Sequence, residues 1–241
     1  MPSDDSISLN KYISSTGRCS RREADKLIEQ GRVLLNGVKA RKGNRVSPGD
    51  EVIVDGGYVE RKKNNLLIAY NKPVGIVCTT DQKEPNNIVS QIKHKERLFP
   101  IGRLDKASQG LIFLTNDGDI VNKILRAGNE HEKEYIVTVN KPIDTDFIRR
   151  MSGGLPILGT KTKKCKVSAI NDNTFRIILT QGLNRQIRRM CEFLGYKVAS
   201  LKRIRIMNVK LGNLPIGKWR ALNSSEIQKI RQLLSHSSKT A

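Results

Sequence analysis

The chain has 241 residues, with 44 Lys and Arg against 23 Asp and Glu and a formal net charge of +21. An excess of that size repels itself unless a polyanion is close, which makes nucleic acid the first partner to consider. Aromatic residues are only 5% of the chain, which argues against a protein that holds single strands mainly by stacking their bases.

The length suits a catalytic domain with an accessory module, so two domains are the starting expectation. The four cysteines, Cys19, Cys78, Cys165 and Cys191, are far apart and show no ligand spacing, so neither a metal site nor a disulfide framework is expected. Met1 to Asp5 lacks a positive stretch followed by an apolar one, and no run approaches the roughly 18 apolar residues of a membrane span. A soluble cytoplasmic protein is expected. The histidines, His94, His131 and His236, are scattered and read as surface or loop residues.

In chain order, Leu9, Tyr12 and Ile13 give a short apolar stripe at helical spacing, closed by Gly17. Ser20 and Glu23 then form a capping box for a second helix, whose buried face is Ala24, Leu27 and Ile28 and which ends at Gly31. Arg18, Arg22 and Lys26 recur every fourth residue on the other side. Val33 to Leu35 reads as a strand turning at Asn36-Gly37, and Pro48-Gly49 precedes another at Val52 to Val54. From Asp55-Gly56-Gly57 to Asn65 the chain is first glycine-rich and then polar and basic. The spacing assigns 8–55 to a small α-plus-β unit and 56–65 to a linker.

Residues 66–234 read as one larger domain. Apolar runs at 66–70, 74–78, 111–115, 135–139 and 175–179 predict strands, and helical patterns appear at 119–126, 144–151, 185–194 and 224–234. The fold class is α+β, a large and mainly antiparallel sheet with flanking helices. Gly154 to Lys161 has glycines at the spacing of a phosphate-binding loop but ends Thr-Lys and contains Pro156, so nucleotide hydrolysis is rejected. No glycine fingerprint for a dinucleotide or methyl donor follows a strand.

Two constellations carry chemistry. The basic row Arg18, Arg22 and Lys26 suits phosphates, which a helix face tracks without reading sequence. Its setting, L-N-K-Y-I, then C-S-R-R-E-A-D-K-L-I-E-Q-G-R-V-L-L-N-G, then P-G-D-E-V, covers residues 9–52 and resembles an S4 RNA-binding domain. The second runs from Phe99 to Thr115 and contains Gly102-Arg103-Leu104-Asp105. By itself an Arg-Leu-Asp turn is more often a surface ion pair than a reactive site. It is accompanied in order by Asn71-Lys72-Pro73-Val74-Gly75, Lys133-Glu134-Tyr135 and Gln181-Gly182-Leu183-Asn184-Arg185-Gln186-Ile187-Arg188. Together these segments resemble the pseudouridine synthases of the RsuA branch, which carry an S4 domain first, and look closest to its F type, acting on 23S rRNA. Close relatives can continue into a basic tail, whereas this sequence stops at Ala241.

The resemblance implies isomerisation of uridine to pseudouridine in 23S rRNA, with a tRNA as a second candidate substrate and a monomer as the working form. The reaction cleaves C1′–N1, turns the base and rejoins it through C5. It consumes no external group, so no cofactor is expected. The resemblance makes Asp105 the essential carboxylate, acting as nucleophile at C1′ or as base at C2′. It makes Tyr135 the aromatic residue that stacks on the displaced uracil, and Arg188 the partner of the aspartate. RNA contacts are assigned to Arg103, Leu104, Lys106, Arg185, Gln186, Ile187, Arg189 and Arg203. The target uridine has to be flipped out of its stack, at a cost of a few kcal/mol that RNA contacts must offset. Two other classes fit the composition: a non-catalytic rRNA-binding or ribosome-assembly protein, and a methyltransferase carrying an S4 domain.

Overall fold

The structure, a computed structural model, describes residues 5–61, 65–125 and 130–235. The chain divides into two compact units, Met1–Asn65 and Leu66–Ala241.

In the first unit β1 (Ile7–Ser8) leads into α1 (Leu9–Ser15) and α2 (Arg21–Glu29), followed by β2 (Val33–Leu35), β3 (Val38–Lys39), β4 (Arg45–Val46), β5 (Val52–Val54) and β6 (Gly57–Tyr58). The capping box of α2 is present: the Glu23 amide donates to Ser20 Oγ at 3.2 Å, and the Ser20 amide donates to the Glu23 carboxylate at 2.7 Å. Leu9 and Ile13 of α1 and Ala24 and Ile28 of α2 pack with Val33, Val46, Val52 and Val54 into one core. Asn36 and Gly37 both take positive φ, as the tight hairpin between β2 and β3 demands. Asp55 and Gly56 do the same between β5 and β6. This second Asp-Gly turn corrects the expected linker at its start, since Gly57–Tyr58 is a fourth strand of the order β3-β2-β5-β6. Residues 62–64 of that stretch lie outside the described residues.

The second unit holds β7 (Leu67–Lys72), α3 (Ile88–Ile92), β8 (Phe99–Ile101), β9 (Gln109–Thr115), α4 (Gly118–Leu125), β10 (Lys133–Val139), α5 (Thr145–Gly153), β11 (Pro156–Ile157) and β12 (Thr160–Lys161). It continues with β13 (Lys166–Asn171), β14 (Thr174–Leu179), α6 (Gln186–Phe193), β15 (Val198–Ile206), β16 (Val209–Lys210), β17 (Trp219–Ala221) and α7 (Ser224–Leu234). The main sheet runs β13-β14-β10-β15-β9-β7-β17, with β16 on β15 and β8 on β9. Its pairings are antiparallel except β9 with β15, which run parallel.

The central strands are buried on both faces, so their apolar residues sort by period two. Ile68, Tyr70, Ile112 and Leu114 enter the core beneath α3, α5 and α6, while Ala69, Leu111 and Phe113 enter a second core with Ile124 of α4 and Ile230 and Leu234 of α7. The expected strand at 74–78 is replaced by a loop, because Pro73 has no amide to donate and Gly75 sits at φ +92. Only Val77 makes a bridge there, to Asn87. Gly154 to Lys161, the rejected phosphate loop, includes the hairpin β11–β12, turned at Leu158 and Gly159 with positive φ.

Candidate active site

The middle of the sheet floors a cleft of about 590 Å³. Its walls come from three segments that enter by different routes: the 73–79 loop, the 102–108 loop before β9, and the 182–188 turn into α6. Asp105 sits in the second. Its loop is fixed by the Ser108 amide donating to the Asp105 carbonyl at 2.9 Å, the Leu104 amide donating to Cys78 Sγ at 3.4 Å, and the Gly75 amide donating to the Lys106 carbonyl at 2.7 Å. Two of the three segments therefore brace each other.

The Asp105 carboxylate is one-third exposed, with Arg188 Nε at 3.5 Å and Arg185 Nη1 at 3.7 Å from the same oxygen. Arg188 is buried, and its Nη2 donates to the Ala107 carbonyl at 3.0 Å and to Ser108 Oγ at 3.1 Å. Its Nε is a buried donor with no hydrogen-bond partner among the described residues. That vacancy faces the carboxylate. Arg185, at the N-terminus of α6, holds a left-handed backbone with φ +50, a conformation that costs a non-glycine residue of order 1 kcal/mol or more and tends to mark functional sites.

Tyr135 lies on β10 with its ring on the cleft and 8% exposed. Arg203, its cross-strand neighbour on β15, places its guanidinium carbon 5.9 Å from the ring centroid. The Nε of Arg203 donates to the Leu111 carbonyl at 2.6 Å, while Nη2 is buried with no hydrogen-bond partner among the described residues. Arg203 is only 4% exposed, which corrects its expected place in a surface stretch of phosphate contacts. The cause is legible in β15, where Leu201, Arg203 and the alternating apolar residues give a strand whose one face is the cleft floor.

The other expected RNA contacts divide. Arg103, Lys106 and Arg185 are exposed around Asp105. Leu104, Gln186 and Ile187 also line the cleft, but they are buried and form its apolar and amide wall; Gln186 accepts from the Leu183 amide and donates to Gln181, bracing the turn. Arg189 turns back to Asn184 and does not line the cleft. In the first unit Arg22 and Lys26 are exposed on α2, whereas Arg18 precedes the helix and pairs with Asp55 at 3.4 Å.

Two lysines escaped the sequence reading. Lys72 is fully buried, and its ammonium donates at 2.8 Å to the carbonyls of Pro73 and Ile76, holding the first wall in shape; burial pushes its pKa down. Lys133 lines the cleft two residues before Tyr135 and on the same strand face, and donates to the His131 carbonyl at 3.2 Å. Burial, with the charge of Arg203 added, pushes it down to about 8. Alternation with Tyr135 was the available signal, but a lysine opening a strand reads as solvated. His131 is buried too, against expectation, whereas His94 lies in a loop and His236 is outside the described residues. Among the described residues no group of His, Cys, Asp and Glu is arranged to hold a metal, and no described helix is long and apolar enough to cross a membrane.

The cleft thus gathers a carboxylate between two arginines, an aromatic ring near a buried guanidinium, and a basic rim. Residues 66–193 match the RNA pseudouridylate synthase family and residues 8–52 match the S4 domain. The chain belongs to that synthase family and is an isomerase of uridines in RNA. It is 61% identical over 237 residues to the dual-specificity RNA pseudouridine synthase RluF of Escherichia coli K12, covering 98% of this chain and 82% of that protein. It is also 32% identical to the ribosomal large subunit pseudouridine synthase B of Bacillus subtilis, covering 95% and 97%. A solved pseudouridylate synthase superposes with a TM-score of 0.68 at 29% identity over 93% of this chain and 99% of its own.

Proposed function

We propose that this chain, as a cytoplasmic monomer, forms pseudouridine in 23S ribosomal RNA and in a tRNA, with Asp105 as the catalytic carboxylate. The observation that carries the assignment is the placement of that carboxylate at the cleft, between Arg185 and Arg188, on the same cleft that Tyr135 lines. The dual specificity of the Escherichia coli relative supports two RNA substrates, and the Bacillus subtilis relative supports the large subunit.

The flipped uridine enters with its base against Tyr135, whose ring lies next to the Arg203 guanidinium. Asp105 either attacks C1′, displacing N1, or removes the C2′ proton; in both routes its carboxylate acts from a position within 3.7 Å of two guanidinium groups. Walls of Leu104 and Ile187 confine the released uracil while it turns. Rejoining at C5 leaves a C5 proton to be lost and N1 to be protonated, so the isomerisation balances with no co-reactant.

The test is single-turnover pseudouridine formation on rRNA and tRNA fragments by purified protein without added cofactor. Asp105→Asn keeps the side chain's shape but serves neither as nucleophile nor as base, so it should lower the rate by at least about a hundredfold while RNA affinity stays near wild type. An Asn variant retaining more than about a hundredth of the rate would remove Asp105 from the chemistry. Tight RNA binding with no pseudouridine from the wild-type protein would favour the non-catalytic reading instead.

A further inference from the structure

Trp219 is the chain's single tryptophan and is 41% exposed on β17, the edge strand of the main sheet. Its neighbour is the His94 ring, with centroids 5.3 Å apart and planes at 70°. His94 is itself fixed, since its Nδ1 accepts the Glu96 amide at 3.0 Å. Lys93 and Lys95 flank His94, Lys218 precedes Trp219, and all three are exposed. Ile216, three residues before Trp219, and Val74, in the loop that follows β7, are also exposed large hydrophobics. A fixed aromatic pair bordered by cations and apolar surface is what an unpaired nucleobase and its phosphates require.

The sheet register places this patch relative to the cleft. Trp219 lies opposite Tyr70, Tyr70 opposite Ile112, Gly110 beside Arg203, and Arg203 opposite Tyr135. Facing partners share a side of the sheet, so Trp219 and Tyr135 are on one side, four strand spacings or roughly 19 Å apart. The 73–79 loop leaves β7, which lies between their two strands in the sheet: Val77, Cys78 and Thr79 line the cleft, Val74 is exposed, and Gly75 is bonded to Lys106 beside Asp105.

Building on the RNA-modifying activity, we propose that Trp219 and His94 form a second RNA contact, a platform on which one unpaired base flanking the target uridine stacks, with Lys93, Lys95 and Lys218 taking the adjoining phosphates. The occupant is RNA and not a protein because the patch is cationic on a chain of net charge +21.

Because Trp219 is the only tryptophan, its fluorescence reports on this patch alone. The full chain carrying Asp105→Asn, which holds RNA without turning it over, is titrated with a hairpin whose loop contains the target uridine and several unpaired neighbours. Binding is followed in parallel by anisotropy of labelled RNA. The expected result is quenched Trp219 emission and protection from acrylamide at the concentrations where anisotropy rises, with no such change for a fully paired duplex of equal length. In the otherwise wild-type protein, Trp219→Ala should raise the hairpin concentration for half-maximal rate by about tenfold, with Trp219→Phe intermediate and saturated turnover little changed. RNA bound by anisotropy with Trp219 still open to acrylamide overturns the platform while leaving the catalytic assignment intact. A Trp219 emission shift that grows with protein concentration in the absence of RNA assigns the patch to a second copy of the chain and also overturns it.

Discussion

Gly110 lies against the backbone of Arg203 so closely that a Cβ on the glycine would sit 2.3 Å from the Arg203 carbonyl oxygen and 2.7 Å from its nitrogen. This contact is where the parallel strands β9 and β15 meet, and it sets the depth of the cleft floor beneath Tyr135. Gly110 also holds φ at +108, which an L side chain rarely adopts. Gly110→Ala should force the two strands apart, costing about 3 kcal/mol in stability and displacing Arg203 from the Tyr135 ring. Urea unfolding and single-turnover rates measure the two effects. An unchanged unfolding midpoint would show that the strands yield without cost.

Arg203 and Arg103 are both basic residues of the cleft, yet their burial predicts opposite phenotypes. Arg203→Ala removes a buried bond to the Leu111 carbonyl and the support under Tyr135, so stability should fall by about 1–3 kcal/mol and turnover on bound RNA should drop. The salt dependence of RNA binding should be nearly unchanged. Arg103→Ala, at the exposed rim, should instead reduce the slope of log affinity against log salt by roughly 0.7–0.9 and leave stability alone. Equal slopes for the two variants would contradict this division.

Much of the architecture was legible because local chemistry agreed with the final fold. Ser20 and Glu23 cap α2 as the capping-box pattern predicts, and α7 spans Ser224–Leu234 as its helical pattern predicts. Of the candidate site, Asp105, Tyr135 and Arg188 do line one cleft. What eluded the sequence was burial of charge. Lys72, Lys133 and Arg203 carry the residue types of a surface, and only the packing of distant strands shows them enclosed. Gly57–Tyr58 is hidden for a different reason: two residues in a strand present too little period to be read, and Asp55-Gly56 ahead of a polar, basic run reads as the opening of a linker.

Lys133 makes stability depend on pH in an unusual direction. The folded protein sheds its proton near about 8, whereas the unfolded chain keeps it to the ordinary value of 10.5. Between these values the unfolded state binds more protons, so this residue's contribution to stability rises with pH across that window and is at its lowest below it. Lys133→Met removes the buried charge and should stabilise the protein at pH 7, on the order of 2–3 kcal/mol, with the advantage fading towards pH 10. Denaturation midpoints of both proteins at pH 7, 8.5 and 10 test this; a constant difference would mean that Lys133 titrates normally.

Deleting residues 1–65 should leave the second unit folded, since its two cores draw only on its own residues. The truncated enzyme should need more RNA for half-maximal rate while keeping most of its saturated turnover, because a tethered binding module acts by raising local RNA concentration. Circular dichroism confirms folding, and single-turnover kinetics at saturating enzyme give the comparison. A folded but inactive fragment would show that the first unit helps to build the site.

The bonds that close the cleft have a bearing on when the enzyme becomes active. Arg188 reaches Ala107 across 81 residues of sequence and Arg203 reaches Leu111 across 92, whereas every strand pairing of the first unit closes within Met1–Asn65. Contacts of high sequence separation form slowly, and domains fold in the order in which they leave the ribosome. A chain still in synthesis therefore owns a finished RNA-binding module well before β15 exists to floor the cleft. Grip precedes chemistry in the life of each molecule, and the newborn protein is a binder before it is a catalyst.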